Sequence, residues 1–127
     1  MTVALATITA LTGCGPNEDE QCAAAYERAV QRVDAVVSAE FKCGGGFGAE
    51  TQGGEVTIAV DTQDEANPVM EDVYRALAAD PELTRAPYVL FHSVDGDFFK
   101  IDDLGFNGNP SLDQIREKYG ITPTPTP

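Results

Sequence analysis

Residues 88–102, YVLFHSVDGDFFKID, carry the strongest secondary-structure signal in the chain. Two runs rich in aromatic and apolar residues, 88–94 and 97–102, flank the dipeptide Asp95-Gly96. An Asp-Gly pair between two such runs is typical of a two-residue β-hairpin turn. We therefore predict two antiparallel strands that are joined at Asp95-Gly96.

The predicted turn fixes which hairpin residues share a face. Val94 then pairs with Asp97 and His92 with Phe99, because pairing proceeds outward from the turn. The face expected to pack under the helices comprises Tyr88, Leu90, His92, Val94, Phe99 and Ile101. The opposite face holds three large apolar residues, Val89, Phe91 and Phe98. If the rest of the chain leaves this second face uncovered, these three residues form a partner surface.

Four further segments precede the hairpin. Their patterns predict a helix over 19–36, strands over 39–43 and 55–60, and a helix over 68–79. The second helix has a start signal, Asn67 as N-cap followed by Pro68 in the first turn. The glycine-rich run 44–48 lies between the two strands, whereas a phosphate-binding loop needs a helix directly after its glycines. We therefore interpret this run as an irregular hairpin connection.

The C-terminal segment has its own helix signals. Ser111 and Gln114 form an S-x-x-Q capping box, and Gly120 is a stop residue. We expect this short helix to cover the second face of the hairpin. The whole order predicts an α+β fold, in which two α-β-β units form a four-stranded, mainly antiparallel sheet with two helices on one face, followed by the short C-terminal helix.

The N-terminal segment is uncharged and mildly apolar. Residues 1–13 contain no charged side chain, and the apolar stretch 3–11 is too short to span a bilayer. It ends in Leu11-Thr12-Gly13-Cys14, which resembles the lipobox of bacterial lipoproteins. The resemblance implies that Cys14 receives a diacylglyceryl group and becomes the first residue of the mature protein. It also implies an extracytoplasmic domain that an N-terminal lipid, with acyl chains such as palmitate, anchors to a bacterial membrane.

Four segments follow from this interpretation. They are a signal peptide over 1–13, a lipidated tether over 14–18, a single α+β domain over 19–120 and a disordered Thr/Pro tail over 121–127. Two acyl chains suffice for stable anchoring without a basic patch, so an acidic lipoprotein is physically consistent.

Two cysteines remain beside Cys14, namely Cys22 and Cys43. On a helix followed by a returning strand, the two lie at comparable heights, and an exported compartment favours oxidation. The bond would close a loop of about 20 residues and contribute about 3 kcal/mol. The alternative is two reduced, buried thiols, and the sequence leaves both open.

Composition excludes some classes of partner. The chain has 127 residues with 21 acidic and 8 basic side chains, which gives a net charge of −13. Nucleic-acid binding and electrostatic docking on an anionic membrane both need a basic surface. We therefore expect no nucleic-acid partner, and contact with the membrane through the lipid at Cys14.

Candidate catalytic and metal-binding residues are few. His92 is the only histidine, and the predicted register puts it on the core face, where it is a poor base for a nucleophilic triad. Four weak calcium candidates lack the EF-hand spacing: Asp95, Asp97, Asp102 and Asp103. We therefore predict no catalytic residues, no metal and no cofactor.

The leading interpretation is a non-enzymatic binding or assembly module, anchored in the envelope and binding an envelope protein. The alternative is a small metal-dependent hydrolase or a calcium-binding extracytoplasmic domain.

Overall fold

The computed structural model describes residues 18–44, 53–106 and 108–123. In chain order the elements are α1 (Glu18–Val30), β1 (Val36–Lys42), β2 (Gly53–Ile58), α2 (Gln63–Ala79), β3 (Tyr88–Ser93), β4 (Phe98–Phe99), a 3-10 turn (Asp102–Leu104) and α3 (Leu112–Tyr119). This order confirms the predicted α+β fold. The signal peptide (1–13), Cys14 and the end of the tail (124–127) lie outside the described residues.

The four strands form one sheet in the order β1-β2-β3-β4. The outer pairs β1/β2 and β3/β4 are antiparallel, as predicted, and the central pair β2/β3 is parallel. The parallel pair arises because α2 carries the chain from the end of β2 back to the start of β3. Each α-β-β unit thus contributes one antiparallel pair.

One face of the sheet and the inner faces of the helices form the core. Tyr74 of α2 packs edge-on against Phe91 of β3, with ring centroids 5.8 Å apart. Val56 and Ile58 of β2 are fully buried beside them. Burial of a side chain such as Phe91 contributes about 1.5–3 kcal/mol. The sheet is therefore held to the helices by apolar packing on this face.

The hairpin has a different turn from the predicted one. The backbone N–H of Ser93 bonds to Asp97 O at 2.9 Å, and His92 pairs with Phe98. The loop is therefore three residues long, and Gly96 adopts φ +97°, the left-handed conformation that such loops place at their third position. This shift of one residue exchanges the two faces of β4, so Phe98 rather than Phe99 shares a face with His92. The predicted core face is wrong, because Val89 and Phe91 are buried and Tyr88 and Leu90 are exposed.

The predicted return strand over 97–102 is wrong beyond Phe99. The Gln63 side chain clamps the next residue, since its Oε1 accepts from Lys100 N at 2.9 Å and its Nε2 donates to Lys100 O at 2.7 Å. These two hydrogen bonds replace a strand ladder. The chain then enters the 3-10 turn, which buries Leu104.

Two helix boundaries also differ from the prediction. Helix α1 ends at Val30, and i-to-i+3 turns lead into β1 at Val36, where a valine pair favours strand. Helix α2 begins at Gln63 because Thr62, not Asn67, is the N-cap and its hydroxyl accepts from Glu65 N at 3.1 Å. Pro68 therefore lies inside α2.

The predicted capping box of α3 and its predicted end at Gly120, which has φ +65°, are both confirmed. The helix packs on α2 and buries Leu112 and Ile115 in the helical layer. Arg116 holds it there, donating hydrogen bonds to the carbonyls of Ala78, Asp80 and Leu83. The second face of the hairpin, with Val89 and Phe91, is buried under the helical layer, and α3 contributes to that layer by packing mainly on α2.

A disulfide joins Cys22 of α1 to Cys43 directly after β1, with the two Cα atoms 6.0 Å apart. The structure thus agrees with the disulfide prediction rather than with free thiols. The edge strand β1 is also tied to α1 by a hydrogen bond, in which Phe41 N donates to Glu27 Oε2 at 3.0 Å. This bond satisfies a backbone N–H on the outer edge of the sheet. Among the described residues, no helix is long and apolar enough to cross a membrane.

Candidate functional site

The sheet face that points away from the helices is the candidate site, and we call it the open face. Three rows of paired residues cross it. They are Lys42, Gly53 and Tyr88; Glu40, Glu55 and Leu90; and Ser38, Thr57, His92 and Phe98. Side chains alternate between the faces of a strand, so these residues share the side opposite to Val56 and Phe91.

Large apolar side chains are exposed on this face. Tyr88 is 56 % exposed, Leu90 38 % and Phe98 66 %. They follow one another along β3 and across to β4. Scattered single apolar residues are ordinary on a surface, whereas neighbouring ones mark an interaction site. The open face therefore has the character of a binding surface.

Two glutamates lie opposite each other at the middle of the face. Glu40 of β1 and Glu55 of β2 are directly paired across the antiparallel ladder. Like charges in this position destabilise a sheet by roughly 0.2–1 kcal/mol. The neighbouring apolar residue in the row is Leu90. This arrangement combines negative charge with apolar surface.

A depression of about 260 Å³ lies at the glycine end of the face. Besides two glycines, it is lined by two carboxylates, one ammonium group, a tyrosine and a leucine: Glu40, Glu55, Lys42, Tyr88 and Leu90. Its floor forms at Gly53 and Gly54, which have no side chains. A Cβ on Gly54 would collide with the Phe41 ring, so this position requires glycine. A Cβ on Gly53 would make only an ordinary contact, 3.4 Å from Tyr88 O. The depression therefore exists because Gly53 has no side chain, although the packing around Gly53 does not itself require glycine.

His92 lies on the open face, not in the core where the predicted register put it. Its Nδ1 lies 3.1 Å from Ser93 O, and a carbonyl only accepts hydrogen bonds, so Nδ1 is the donor. Its Nε2 lies 3.3 Å from Thr57 Oγ1 and 3.4 Å from Glu55 Oε1. A nucleophilic triad needs the nucleophile and the carboxylate on opposite ring nitrogens, whereas here both approach Nε2. The geometry therefore does not assemble a triad around His92.

The predicted partner surface is corrected by burial. Val89 is 5 % exposed and Phe91 1 % exposed, so both belong to the core, and only Phe98 of the three lies on the open face. Sequence reasoning missed Tyr88 and Leu90 as surface residues. Gly96 indicates a three-residue loop, which could have placed Phe98 on their face, but no local signal ranks the two faces of β3.

The weak calcium candidates do not converge. Asp95 and Asp97 lie at the hairpin, while Asp102 and Asp103 begin the 3-10 turn. Asp103 Oδ2 accepts from the Asn67 side chain at 3.4 Å. In the ranges 18–44, 53–106 and 108–123, no group of three or more His, Cys, Asp or Glu residues could hold a metal ion.

A second groove, of about 580 Å³, lies between the turn after α1 and the exposed side of α2. Its charged residues are two arginines and two aspartates, so their charges cancel: Arg32, Asp34, Asp72 and Arg75. Arg75 is engaged already, because it pairs with Asp72 at 3.1 Å and lies over the Tyr119 ring at 4.4 Å. Because its charges cancel, this groove favours neither an anionic nor a cationic ligand. Its Arg75 is already engaged in holding α2 against α3.

No protein-family model matches the chain, and no curated protein or solved structure matches it.

Proposed function

We propose that this protein is a membrane-anchored extracytoplasmic lipoprotein whose α+β domain is a non-enzymatic binding or assembly module. It binds an envelope protein through the open face. One observation carries this proposal: Tyr88, Leu90 and Phe98 occupy successive rows of the same sheet face, opposite the helices, and all three are exposed. Exposed apolar surface of this kind gains free energy when a partner covers it.

The proposed membrane anchoring and extracytoplasmic localisation rest on the sequence Leu11-Thr12-Gly13-Cys14. Three residues, 15–17, separate Cys14 from the first residue of α1 at Glu18. At about 3.3–3.6 Å per fully extended residue, three residues can span at most roughly 10 Å. A lipid on Cys14 would therefore keep the domain close to the membrane surface, within reach of other anchored proteins. The Cys22–Cys43 disulfide is compatible with an oxidising compartment.

The non-enzymatic part of the proposal is supported by the position of His92. The ring lies on a sheet face rather than in a cleft, and it packs edge-on against Phe98 at 5.8 Å. Its Nε2 lies near both Thr57 and Glu55. These contacts suit a residue that shapes a binding surface.

The anchor is tested by the intact mass of the protein from the membrane fraction of a bacterial host. We expect a mass that lacks residues 1–13 and includes a diacylglyceryl group, with a two-dalton increase on reduction of the disulfide. A full-length, unlipidated protein in the aqueous fraction would contradict the anchor.

The binding face is tested by site-specific photocrosslinking in intact cells. A photoreactive amino acid replaces Phe98 on the open face or, as the matched control, the exposed Glu117 on α3. We expect a discrete adduct from position 98 and none from position 117, and we expect Leu90→Asp to abolish it. The same adducts from both positions, or no adduct from position 98, would refute the proposed face.

A further inference from the structure

We propose that the partner presents a basic, apolar segment, and that one of its arginine or lysine side chains occupies the depression between Glu40, Glu55 and Tyr88. This inference rests on the proposed function, since it names the chemistry that the open face recognises. The partner is a protein segment in which cationic and apolar side chains alternate.

The depression has the size and shape for one long side chain. Its volume is about 260 Å³, and its floor is backbone because Gly53 has no side chain. Tyr88 stands on β3 beside Gly53, and its ring is more than half exposed. An aromatic ring attracts a cation lying against its face. A guanidinium on a flexible stem could therefore enter the depression with its stem on Gly53 and its head group against Tyr88.

The charge of the row selects the sign of the ligand. Glu40 and Glu55 face each other across the ladder, and Lys42 is the one cation among the described residues that line the depression. The two carboxylates outnumber this ammonium group, so the depression carries a net negative charge. Glu55 has the His92 ring as its neighbour, at 3.4 Å. A cation between the two carboxylates would relieve their repulsion as well as pair with them. An anionic ligand would add to the repulsion.

The remaining open-face residues supply the apolar half of recognition. Leu90 is next to Glu55 in the same row, and Phe98 lies one row further. An extended segment lying on the face would project alternate side chains toward it. A basic residue at the depression can thus be combined with apolar residues over Leu90 and Phe98.

Other occupants fit less well. An anionic lipid surface would be repelled by Glu40, by Glu55 and by the net charge of −13. A second copy that presented the same face would bring a depression of the same net negative charge against the first. A basic protein segment is the occupant that complements both the charge and the apolar surface.

The test measures binding of two fluorescein-labelled octapeptides to the full chain by fluorescence anisotropy. One peptide alternates Arg and Leu, and the other alternates Glu and Leu. We expect the arginine peptide to bind at least tenfold more tightly. Equal affinity for the two peptides, or no binding of the arginine peptide, would overturn the inference.

Variants then locate the binding. We expect Glu40→Gln/Glu55→Gln to weaken the arginine peptide about tenfold, and Gly53→Val, which fills the depression, to weaken it several-fold. The matched control is Asp113→Asn/Glu117→Gln on α3, where both residues are exposed. Each pair changes the net charge by two, from −13 to −11. An equal loss in the control would show general electrostatic attraction and refute the site.

Thermal unfolding separates binding from folding. Because Glu40→Gln/Glu55→Gln removes a like-charge pair, we expect the melting temperature to stay constant or rise while affinity falls. A fall in melting temperature that accompanies the affinity loss would assign the effect to unfolding and count against the inference.

The photocrosslink at position 98 distinguishes failure of the basic-ligand inference from failure of the proposed function. If the adduct forms and survives Glu40→Gln/Glu55→Gln, the binding face stands and the basic-ligand inference fails. If the wild-type face gives no adduct, the proposed function itself fails.

Discussion

Tyr74 is fully buried at the centre of the helical layer, between Phe91 and Phe106. Its hydroxyl finds no hydrogen-bond partner within the part of the chain that the structure describes. Burial raises the pKa of this hydroxyl well above its ordinary value. An unpaired buried hydroxyl costs about 1–3 kcal/mol, while the ring itself contributes apolar packing.

We therefore expect Tyr74→Phe to increase the free energy of unfolding by about 1 kcal/mol, because it removes the unpaired hydroxyl and keeps the ring. Urea denaturation monitored by circular dichroism measures the change. Tyr26→Phe is the matched control, since the Tyr26 hydroxyl donates to Arg85 O at 2.8 Å and its loss should destabilise the fold. Destabilisation by both variants would contradict the account of Tyr74.

Tyr119 makes the fold sensitive to alkaline pH. Burial, followed by the hydrogen bond to Glu71 and the charge of that residue, raises the pKa of Tyr119 to about 12. The folded state therefore holds this proton more tightly than the unfolded state, whose tyrosine has a pKa of about 10. The contribution of Tyr119 to stability is complete below pH 10 and is lost as the pH rises toward 12.

Urea midpoints at pH 8 and pH 11 test this effect. We expect the wild-type midpoint to fall between the two values and Tyr119→Phe to reduce the fall. Tyr88→Phe serves as the control, because Tyr88 is exposed on the open face. An equal pH dependence in wild type and Tyr119→Phe would refute the assignment.

At the scale of elements, the hairpin loop sets the register of the sheet edge. Gly96 has φ +97°, and an added Cβ would meet no atom within 4 Å. The constraint at this position is therefore conformational rather than steric. Residues other than glycine rarely adopt such a φ, and the strain is of the order of 1–3 kcal/mol.

We accordingly expect Gly96→Val to lower the free energy of unfolding by about 1–2 kcal/mol. Asp95→Ala, in the same exposed loop, should change it by less than about 0.5 kcal/mol. Chemical denaturation of both variants measures the difference. A neutral Gly96→Val would mean that the loop adopts another turn, and the placement of Phe98 on the open face would have to be revised.

At the scale of the whole molecule, one disulfide connects the first helix to the end of the edge strand. The sequence separation between Cys22 and Cys43 is 21 residues. Closing a loop of this length restricts the unfolded chain and stabilises the fold by about 3 kcal/mol.

The double variant Cys22→Ser/Cys43→Ser should therefore lose about 3 kcal/mol in chemical denaturation, although it keeps the α+β fold. The reduced wild-type protein should show a similar loss. An unchanged denaturation curve in both cases would show that the two sulfur atoms do not form a bond in solution. Cys14→Ser is the control for general effects of removing a cysteine.

Local patterns predicted much of the element order. Ser111 and Gln114 form their capping box from neighbouring residues, and Gly120 ends the helix by its own backbone conformation. The positions of Cys22 and Cys43 indicated that a helix followed by a returning strand would bring the two cysteines to comparable heights. These features depend on interactions over a few residues or on simple chain geometry, so sequence reasoning reached them.

Boundaries that depend on distant partners were not predictable in this way. The early end of β4 depends on Gln63, which lies 37 residues before its backbone partner Lys100. The start of α2 at Gln63 reflects the choice between two N-cap candidates, Thr62 and Asn67, that are both chemically suitable. Local chemistry leaves such choices open.

The amino-acid order was sufficient for the α+β class and for the existence of the hairpin, because these follow from periodicity and turn chemistry. It made a Cys22–Cys43 bond geometrically feasible but did not decide between the bond and free thiols. Nor did it determine the identity of the buried face. Both faces of β3 carry large apolar residues, so alternation alone does not rank Val89 and Phe91 above Tyr88 and Leu90. The packing of α2 over one face makes that choice, and the three-residue loop at Gly96 then sets which β4 residue joins each face. The open face, and the binding function proposed for it, therefore emerge from long-range packing.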